Sequence, residues 1–567
     1  MRLSAALLAA TLLLPAPLLA QTRGEAGPYL AARIAGFASD YAAAAEYYDR
    51  LVARDDTTPS VLENAVIVNA ALGDFAAAAR VADLLEAAEG ESQFADAARL
   101  IAALEAGDWD GAEAILSGET VGGALLDGLV RGWIAAARGD GAAARAEFDR
   151  LAETEGFTPF ALIHTAYLAA MEGDFETADE IFSGRAGTAL QLTARGIEGH
   201  AQVLAAMGRT ADAVDLLTQS TAAVNSPALE ALLARIEAGE EVGFDLVATP
   251  RDGMAEAYFT LAALLAGEAS PTFVLINGRA ATVLRPDHTE ALVLVAALLD
   301  DQGQSDLAAA ALRAVPRDDP AFHAAEIERA DVLLKAGREE AAVEVLQALT
   351  RTDADRQEVW ASLGDALRRT EDFVGAAEAY DRALSIVEAA GEPEARDWFL
   401  YYARGIARER TDDWAGAEAD FRRALDLNPD QPSVLNYLGY GLVEQRMKLD
   451  EALDMIERAV AARPNDGYIT DSLGWVLYRL GRAEEAVAPM ERAVELTPRD
   501  PVINDHLGDV LWTVGRKREA EFQWRRALSL DPEPEDLARI KRKLEVGLDA
   551  VLDEEGGVGV LEEADDG

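Results

Sequence analysis

Apolar residues recur three and four positions apart along most of this chain, a spacing that gathers them on one face of a helix. Residues 467–500 show the unit. Leu473, Gly474 and Leu477 share a face of one helix, and Gly481 permits the left-handed conformation that closes it. Ala486, Met490 and Ala493 form the matching face of a second helix, which ends before Pro498. The small residues Gly474, Ala486 and Ala493 let the two backbones approach. One such pair cannot bury its apolar face alone, so neighbours must stack into a continuous core.

The unit repeats. Leu473-Gly474, Leu477, Gly481-Arg482, Ala486, Ala493 and Pro498 return 34 residues later as Leu507-Gly508, Leu511, Gly515-Arg516, Ala520, Ala527 and Pro532. The alanine opening each second helix runs Ala308, Ala342, Ala376, Ala417, Ala452, Ala486, Ala520, with Val274 in the equivalent place before them. A second series, Ala44, Ala78, Ala112, Ala144, Ala178 and Ala213, lies nearer the N-terminus. Together they predict about fourteen helix pairs, six before residue 223 and eight after residue 254, in an all-α fold. Gly73-Asp74-Phe75, Gly107-Asp108-Trp109 and Gly173-Asp174-Phe175 fall between the paired helices. There glycine ends one helix, aspartate caps the next, and the aromatic packs between them.

The divisions follow. Residues 1–20 read as a secretion signal: Arg2 supplies the positive start, Ala5 to Leu14 the apolar stretch, and Pro15 and Pro17 break it before Ala20-Gln21. The alternative is a frayed first helix. The stretch is too short to span a bilayer, and no other segment is long and apolar enough to do so. The expectation is a periplasmic protein with no integral membrane segment after signal cleavage. An N-terminal array covers 25–222 and a C-terminal array 255–534. Between them, 223–254 is either a hinge or a degenerate repeat. A capping helix over 535–552 and a disordered acidic tail over 553–567 complete the chain.

Charge narrows the class of partner. The chain carries 101 acidic and 51 basic residues, a formal net charge of −50. A nucleic-acid binder needs the opposite sign to neutralise phosphates, so nucleic acid is excluded as a main partner. The chain has no cysteine. That removes disulfides, thiol catalysis, thiolate metal sites and a lipid-anchor cysteine together. No phosphate-binding loop ends in Lys-Ser or Lys-Thr. The histidines, His164, His200, His288, His323 and His506, stand singly without metal-ligand spacing. No catalytic residue, metal or cofactor is predicted.

The candidate chemistry is recognition. The first helix of each pair lines the concave side of such a stack, with one stripe pointing into the groove. That stripe is Phe399 and Tyr402, then Asn436 and Tyr440, then Tyr468, Asp471, Trp475 and Tyr478, then Asp505, Asp509 and Trp512. Aromatic area beside carboxylates suits a protein-binding groove, although the same rings could pack on neighbouring helices. Trp360 and Trp524 fall on packing faces. A second candidate is basic: Arg516, Lys517, Arg518, Arg525, Arg526, Lys541, Arg542 and Lys543. It reads either as a solvated end-cap or as a docking patch for an acidic partner or membrane headgroups.

The 34-residue period, with Trp360, Leu363-Gly364, Ala376, Tyr380 and Ala383, resembles the tetratricopeptide repeat family over most of residues 25–534. The resemblance implies a right-handed superhelical solenoid that binds proteins. Leu435-Asn436-Tyr437-Leu438-Gly439-Tyr440, Asp471-Ser472-Leu473-Gly474-Trp475 and His506-Leu507-Gly508-Asp509 with Trp512 look like proteobacterial envelope members of that family. Some of those act as adaptors for carboxyl-terminal processing proteases. This resemblance implies a periplasmic adaptor whose partners are a protease and its substrates. The alternative is a structural component of an envelope or cell-wall assembly without an enzyme client.

Overall fold

The computed structural model describes residues 26–556 apart from 55, 56, 119 and 225. The expected signal, 1–20, and the last part of the expected tail, 557–567, lie outside the described residues. Among those described, all regular structure is helical: thirty-one α-helices and one short 3-10 turn. The all-α repeat fold predicted from the spacing is what forms. No described helix is long and apolar enough to cross a membrane. The helices fall into two compact units, divided between Ala336 and Gly337.

The first unit begins with six helix pairs. They are α1 (Ala26–Phe37) with α2 (Tyr41–Val52), α3 (Pro59–Leu72) with α4 (Phe75–Ala87), and α5 (Gln93–Ala106) with α6 (Trp109–Leu116). Then come α7 (Ala124–Ala137) with α8 (Gly141–Ala152), α9 (Thr158–Met171) with α10 (Phe175–Phe182), and α11 (Ala194–Ala206) with α12 (Thr210–Thr221). The turns form for local reasons. Gly73 and Gly107 take left-handed φ values of +84° and +73°. The side chains of Asp40, Asp74, Asp108, Asp140 and Asp174 each accept a hydrogen bond from a backbone N–H three residues on. First helices of successive pairs pack on one another, α3 on α5, α7 on α9 and α9 on α11, so they build one wall.

After α12 the chain departs from the pattern. Helix α13 (Pro227–Glu237) packs on α11 and α12, but no second helix follows it. The irregular stretch after it is pinned to α11, where Gln202 Oε1 accepts from the backbone N–H of Asp245 and Leu246 at 3.0 and 3.1 Å. Helices α14 (Pro250–Leu265) and α15 (Pro271–Leu284) then fold back along the wall already built. Helix α14 lies on α7 and α9, and α15 on α3 and α5. Gly253 of α14 touches the buried Trp133 ring of α7. The Arg251 guanidinium donates to the carbonyl of Leu104 at 3.3 Å, and that of Arg279 to Ala71 at 3.2 Å. Burial pulls Arg279 down to about 10. Helices α16 (Thr289–Asp301), α17 (Ser305–Arg313) and α18 (Phe322–Lys335) complete the unit.

The division therefore falls at 336/337 and not in the 223–254 segment where the broken spacing put it. The reason is physical. The apolar stripe of a helix pair can face the next pair or an older wall, and the three-to-four spacing is the same in both cases.

The second unit stacks pairs in order. It holds α19 (Glu339–Leu349), α20 (Gln357–Arg369) with α21 (Phe373–Ala390), and α22 (Trp398–Glu409) with α23 (Trp414–Leu427). Next are α24 (Pro432–Glu444) with α25 (Leu449–Ala462), α26 (Gly467–Arg479) with α27 (Ala483–Leu496), and α28 (Pro501–Thr513) with α29 (Lys517–Leu528). Four of these five pairs close on a glycine of the first helix that meets a large side chain sixteen residues later, and in the fifth Gly439 meets Ile456, seventeen residues on. The four contacts are Gly364 with Tyr380, Gly405 with Phe421, Gly474 with Met490, and Gly508 with Trp524. A Cβ at any of the four would overlap that side chain. The end is closed by two helices where the sequence suggested one, α30 (Pro534–Val546) and α31 (Leu548–Glu554), separated at Gly547 with φ +86°. Helix α31 also takes in Asp553 and Glu554, the start of the expected tail.

Candidate protein-binding groove

The predicted stripe lies where expected in the chain, on the first helices α22, α24, α26 and α28 of the second unit, but it divides into an open and a closed part. The open part begins on α22, where Phe399 is 40% exposed. Tyr402 is half-buried, meeting Tyr437 of α24 edge to face with centroids 5.5 Å apart. Trp398 lies 5.8 Å from both Phe399 and Tyr402. Tyr437 is 43% exposed and Tyr468, at the start of α26, 60%. Asn436 and Tyr440 are half-buried beside them. Burial, then Glu444 and Asp471, raise the Tyr440 hydroxyl well above the ordinary phenol range. Trp398 and Tyr437 were not in the predicted stripe. They sit one residue from Phe399 and Asn436, about 100° further around the helix, and join the open part through their contacts with Tyr402.

The closed part is a correction. Asp471, Trp475, Tyr478, Asp505 and Asp509 are buried, not groove-facing. The Trp475 indole stacks on the His506 imidazole of α28 with centroids 3.9 Å apart, and its Nε1 donates to Glu444 at 3.0 Å. Burial lowers the affinity of His506 for a proton, but Asp471, whose Oδ2 is 2.9 Å from Nδ1, outweighs it and raises the pKa. Asp505 and Asp509 both accept from Lys543 Nζ of α30 at 2.7 Å. Asp509 also accepts from Trp524 Nε1 at 2.9 Å. Burial and the neighbouring Asp509 push Asp505 up to about 6 even against Lys543. Trp512 is half-covered, its Nε1 donating to Asp549 of α31 at 3.1 Å and Lys517 Nζ lying 4.4 Å over its ring. A first helix faces both the groove and the next first helix, and these residues face the latter.

The basic candidates change accordingly. Lys543 is fully buried and paired, so it offers nothing to an acidic partner. Arg516 pairs with Glu491 and Glu519, Arg525 with Glu521, and Arg542 with Glu545 and Glu554. Arg526 donates to the Pro498 carbonyl, and Lys517 lies 3.6 Å from Asp549. Arg518 and Lys541 are exposed. Trp524 is buried, and Trp360 donates to the Ala354 carbonyl at 2.9 Å.

His164 accepts from Trp133 Nε1 at 2.9 Å, and burial lowers it to about 4, which keeps it neutral. Among the described residues no group of three or more His, Asp or Glu is placed to hold a metal ion. One feature of the first unit had no sequence signal. A cleft of about 740 Å³ is lined by residues from five segments between 194 and 321. Its members are far apart in the chain, so no local pattern announces it.

Comparison with known proteins bears on the repeats. Tetratricopeptide repeat profiles match residues 296–356, 327–393 and 444–501, and a second such profile matches 398–431. Repeats of this kind imply a protein–protein interaction scaffold. The TPR repeat-containing protein PA4667 of Pseudomonas aeruginosa is 30% identical over 162 residues, which are 28% of this chain and 26% of that protein. The chain thus spans about a quarter of the length of this curated relative. The solved Cut9–Hcn1 hetero-tetramer of the APC/C aligns over 92% of this chain and 96% of its own at 14% identity, TM-score 0.38. YrrB, a TPR protein with an unusual peptide-binding site, aligns over 35% of this chain and 99% of its own at 19% identity, TM-score 0.28.

Proposed function

We propose that the chain is an exported, non-catalytic adaptor. It holds partner proteins on its stacked first helices in the periplasm and recruits an envelope enzyme such as a carboxyl-terminal processing protease. The observation that carries this reading is the open aromatic wall of Phe399, Tyr402, Tyr437 and Tyr468. Large rings held half-exposed by a rigid helix stack provide apolar area at little entropic cost, which is how protein-binding hot spots work. The tetratricopeptide matches over 398–431 and 444–501 hold three of these rings, Phe399, Tyr402 and Tyr468. Export rests on Arg2, the apolar run Ala5 to Leu14, and the break at Pro15 and Pro17.

The test is affinity capture of the tagged chain after cross-linking in intact cells, with Phe399→Ala/Tyr437→Ala/Tyr468→Ala in parallel. Recovery of a secreted protease that the triple variant loses supports the adaptor. Recovery of envelope assembly proteins with no hydrolase among them points to a structural component. N-terminal sequencing of exported chain should read from near Gln21, and an intact Met1 would remove the periplasmic assignment.

A further inference from the structure

The first unit presents a surface of different chemistry. Helices α14 and α15 cover the wall from α3 to α9, and beyond them α11 and α13 are left to line the open cleft of about 740 Å³. Its other side is formed by segments 285–293 and 316–321. That size is in the range of ligand sites, about 300–1,000 Å³. Six carboxylates line it: Glu198, Asp245, Asp287, Glu290, Asp318 and Asp319. A seventh, Glu256 of α14, lies buried against it.

The three arginines of the lining, and His288 between Glu256 at 3.3 Å and Glu290 at 3.4 Å, do not balance them. Arg195 is bound first to Glu256, with Glu198 at 3.2 Å and Glu290 at 3.4 Å sharing what remains. Arg235 turns to Glu240, and Arg285 to the Leu246 carbonyl and Asp287. Among the described residues, Asp245 has only the Gln202 amide at 2.7 Å, and Asp319 only the Thr289 hydroxyl and the Ala321 N–H. The cleft is therefore short of cations. It is also short of an acceptor, because Arg195 Nε is buried in the lining without a hydrogen-bond partner. The N-termini of α13 and α16 open near it, but the side chains of Ser226 and His288 cap them from within. An anion gains nothing there.

We propose that this cleft binds an extended, lysine- or arginine-bearing segment of a partner protein. Asp245, Asp318 and Asp319 take its cationic side chains, and Arg195 Nε donates to one of its main-chain carbonyls. A peptide supplies both needs in one ligand, a row of cations and a row of carbonyl acceptors. A bare metal ion supplies only the first, and the carboxylates are not grouped to hold one. The inference rests on the scaffold reading only in that the ligand is a protein. The aromatic wall and the cleft are separate sites and fail separately.

The experiment is fluorescence anisotropy of a labelled alternating Lys-Ala octapeptide with the full chain, beside the Glu-Ala octapeptide. The expected result is salt-sensitive binding of the lysine peptide and none of the glutamate peptide. Asp245→Asn/Asp318→Asn should weaken it by at least about ten-fold. The control Asp83→Asn/Asp110→Asn removes two exposed carboxylates elsewhere in the same unit and should leave binding unchanged. Equal loss in both pairs means that bulk charge alone attracts the peptide and overturns the proposal, as does no loss in the first. Phe399→Ala/Tyr437→Ala should not alter this binding, whatever it does to capture from cells. Circular dichroism melts of each variant separate lost binding from lost folding.

Discussion

Gly253 rests its Cα on the indole of Trp133, so closely that a methyl group in its place would overlap the ring. That contact seats α14 on α7, and the same indole is tethered to His164 at 2.9 Å and cannot swing away freely. Gly253→Ala should therefore destabilise the first unit by about 1–3 kcal/mol through overpacking. Urea denaturation followed by tryptophan fluorescence measures it. An unchanged midpoint would mean that α14 does not lie tightly on this wall.

Lys543 is the fully buried cation between two buried carboxylates, with the partly exposed Arg539 3.3 Å from Asp509 beside it. Replacing it with methionine keeps the volume but leaves Asp505 and Asp509 without their main counter-charge. Stripping one partner from a buried pair costs about 3–5 kcal/mol. Lys543→Met should lower the melting temperature and expose α30 and α31 to limited proteolysis. Adding Asp505→Asn should recover part of the loss. A double variant no better than the single one would assign the effect to packing alone.

Glu198 makes the first unit sensitive to pH. Burial is the largest cause that raises its pKa to about 7; Glu290, Glu256 and Asp245 add to this, and Arg195 opposes it. The folded unit thus holds a proton that the unfolded chain, with a carboxyl near 4.5, has released. Stability from this group is full below pH 4.5 and is lost as pH rises to about 7, on the order of 3 kcal/mol in all. Glu198→Gln should flatten that slope in denaturation curves taken from pH 4.5 to 8. An unaltered slope would place the proton elsewhere.

Much of this was legible beforehand, and the limits have physical causes. The turns were legible because Asp74 and Asp108 act within three residues of themselves. The closing glycines were legible in part, since Gly474 and Ala486 belong to one helix pair. The return of α14 along the inner wall was not, because Gly253 and Trp133 lie on elements that meet only in three dimensions. Trp475 was placed on the right helix but assigned the wrong neighbour. Spacing gives the angle of a side chain around its helix, not what stands opposite it. The cleft at Glu198 was invisible for the same reason.

The split of the aromatic stripe gives two opposite results. Phe399→Ala, Tyr437→Ala and Tyr468→Ala remove half-exposed rings and should each change stability by less than about 1 kcal/mol. Trp475→Ala and Tyr478→Ala empty buried sites and should each cost about 3–5 kcal/mol. Thermal melts of the five variants decide it. Similar shifts for all five would erase the distinction between wall and core.

Three turns between paired helices of the second unit hold a side chain in the left-handed conformation where others use glycine, at Glu371, Asp412 and Arg446. Glu371 and Asp412 hold left-handed φ values of +61° and +63°, just before the capping residues Asp372 and Asp413. Glu371→Gly and Asp412→Gly should relieve that strain and stabilise the unit by about 0.5–1 kcal/mol each. A fall in melting temperature for both would show that the lost side chains contribute more than the strain costs.

The bond from the Tyr41 hydroxyl to Gln302, 2.6 Å long, joins residues 261 positions apart. A plain repeat array can condense pair by pair behind the ribosome, since each element needs only its sequence neighbours. The first unit cannot finish that way. Its wall of first helices must wait, apolar side uncovered, until α14 and α15 have been synthesised and have come back to meet it. Contacts of such long sequence separation slow folding and make it all-or-none. The chain thus combines a half that zips with a half that must be closed by a late arrival, and nascent chains stopped before residue 250 are the ones a chaperone should hold.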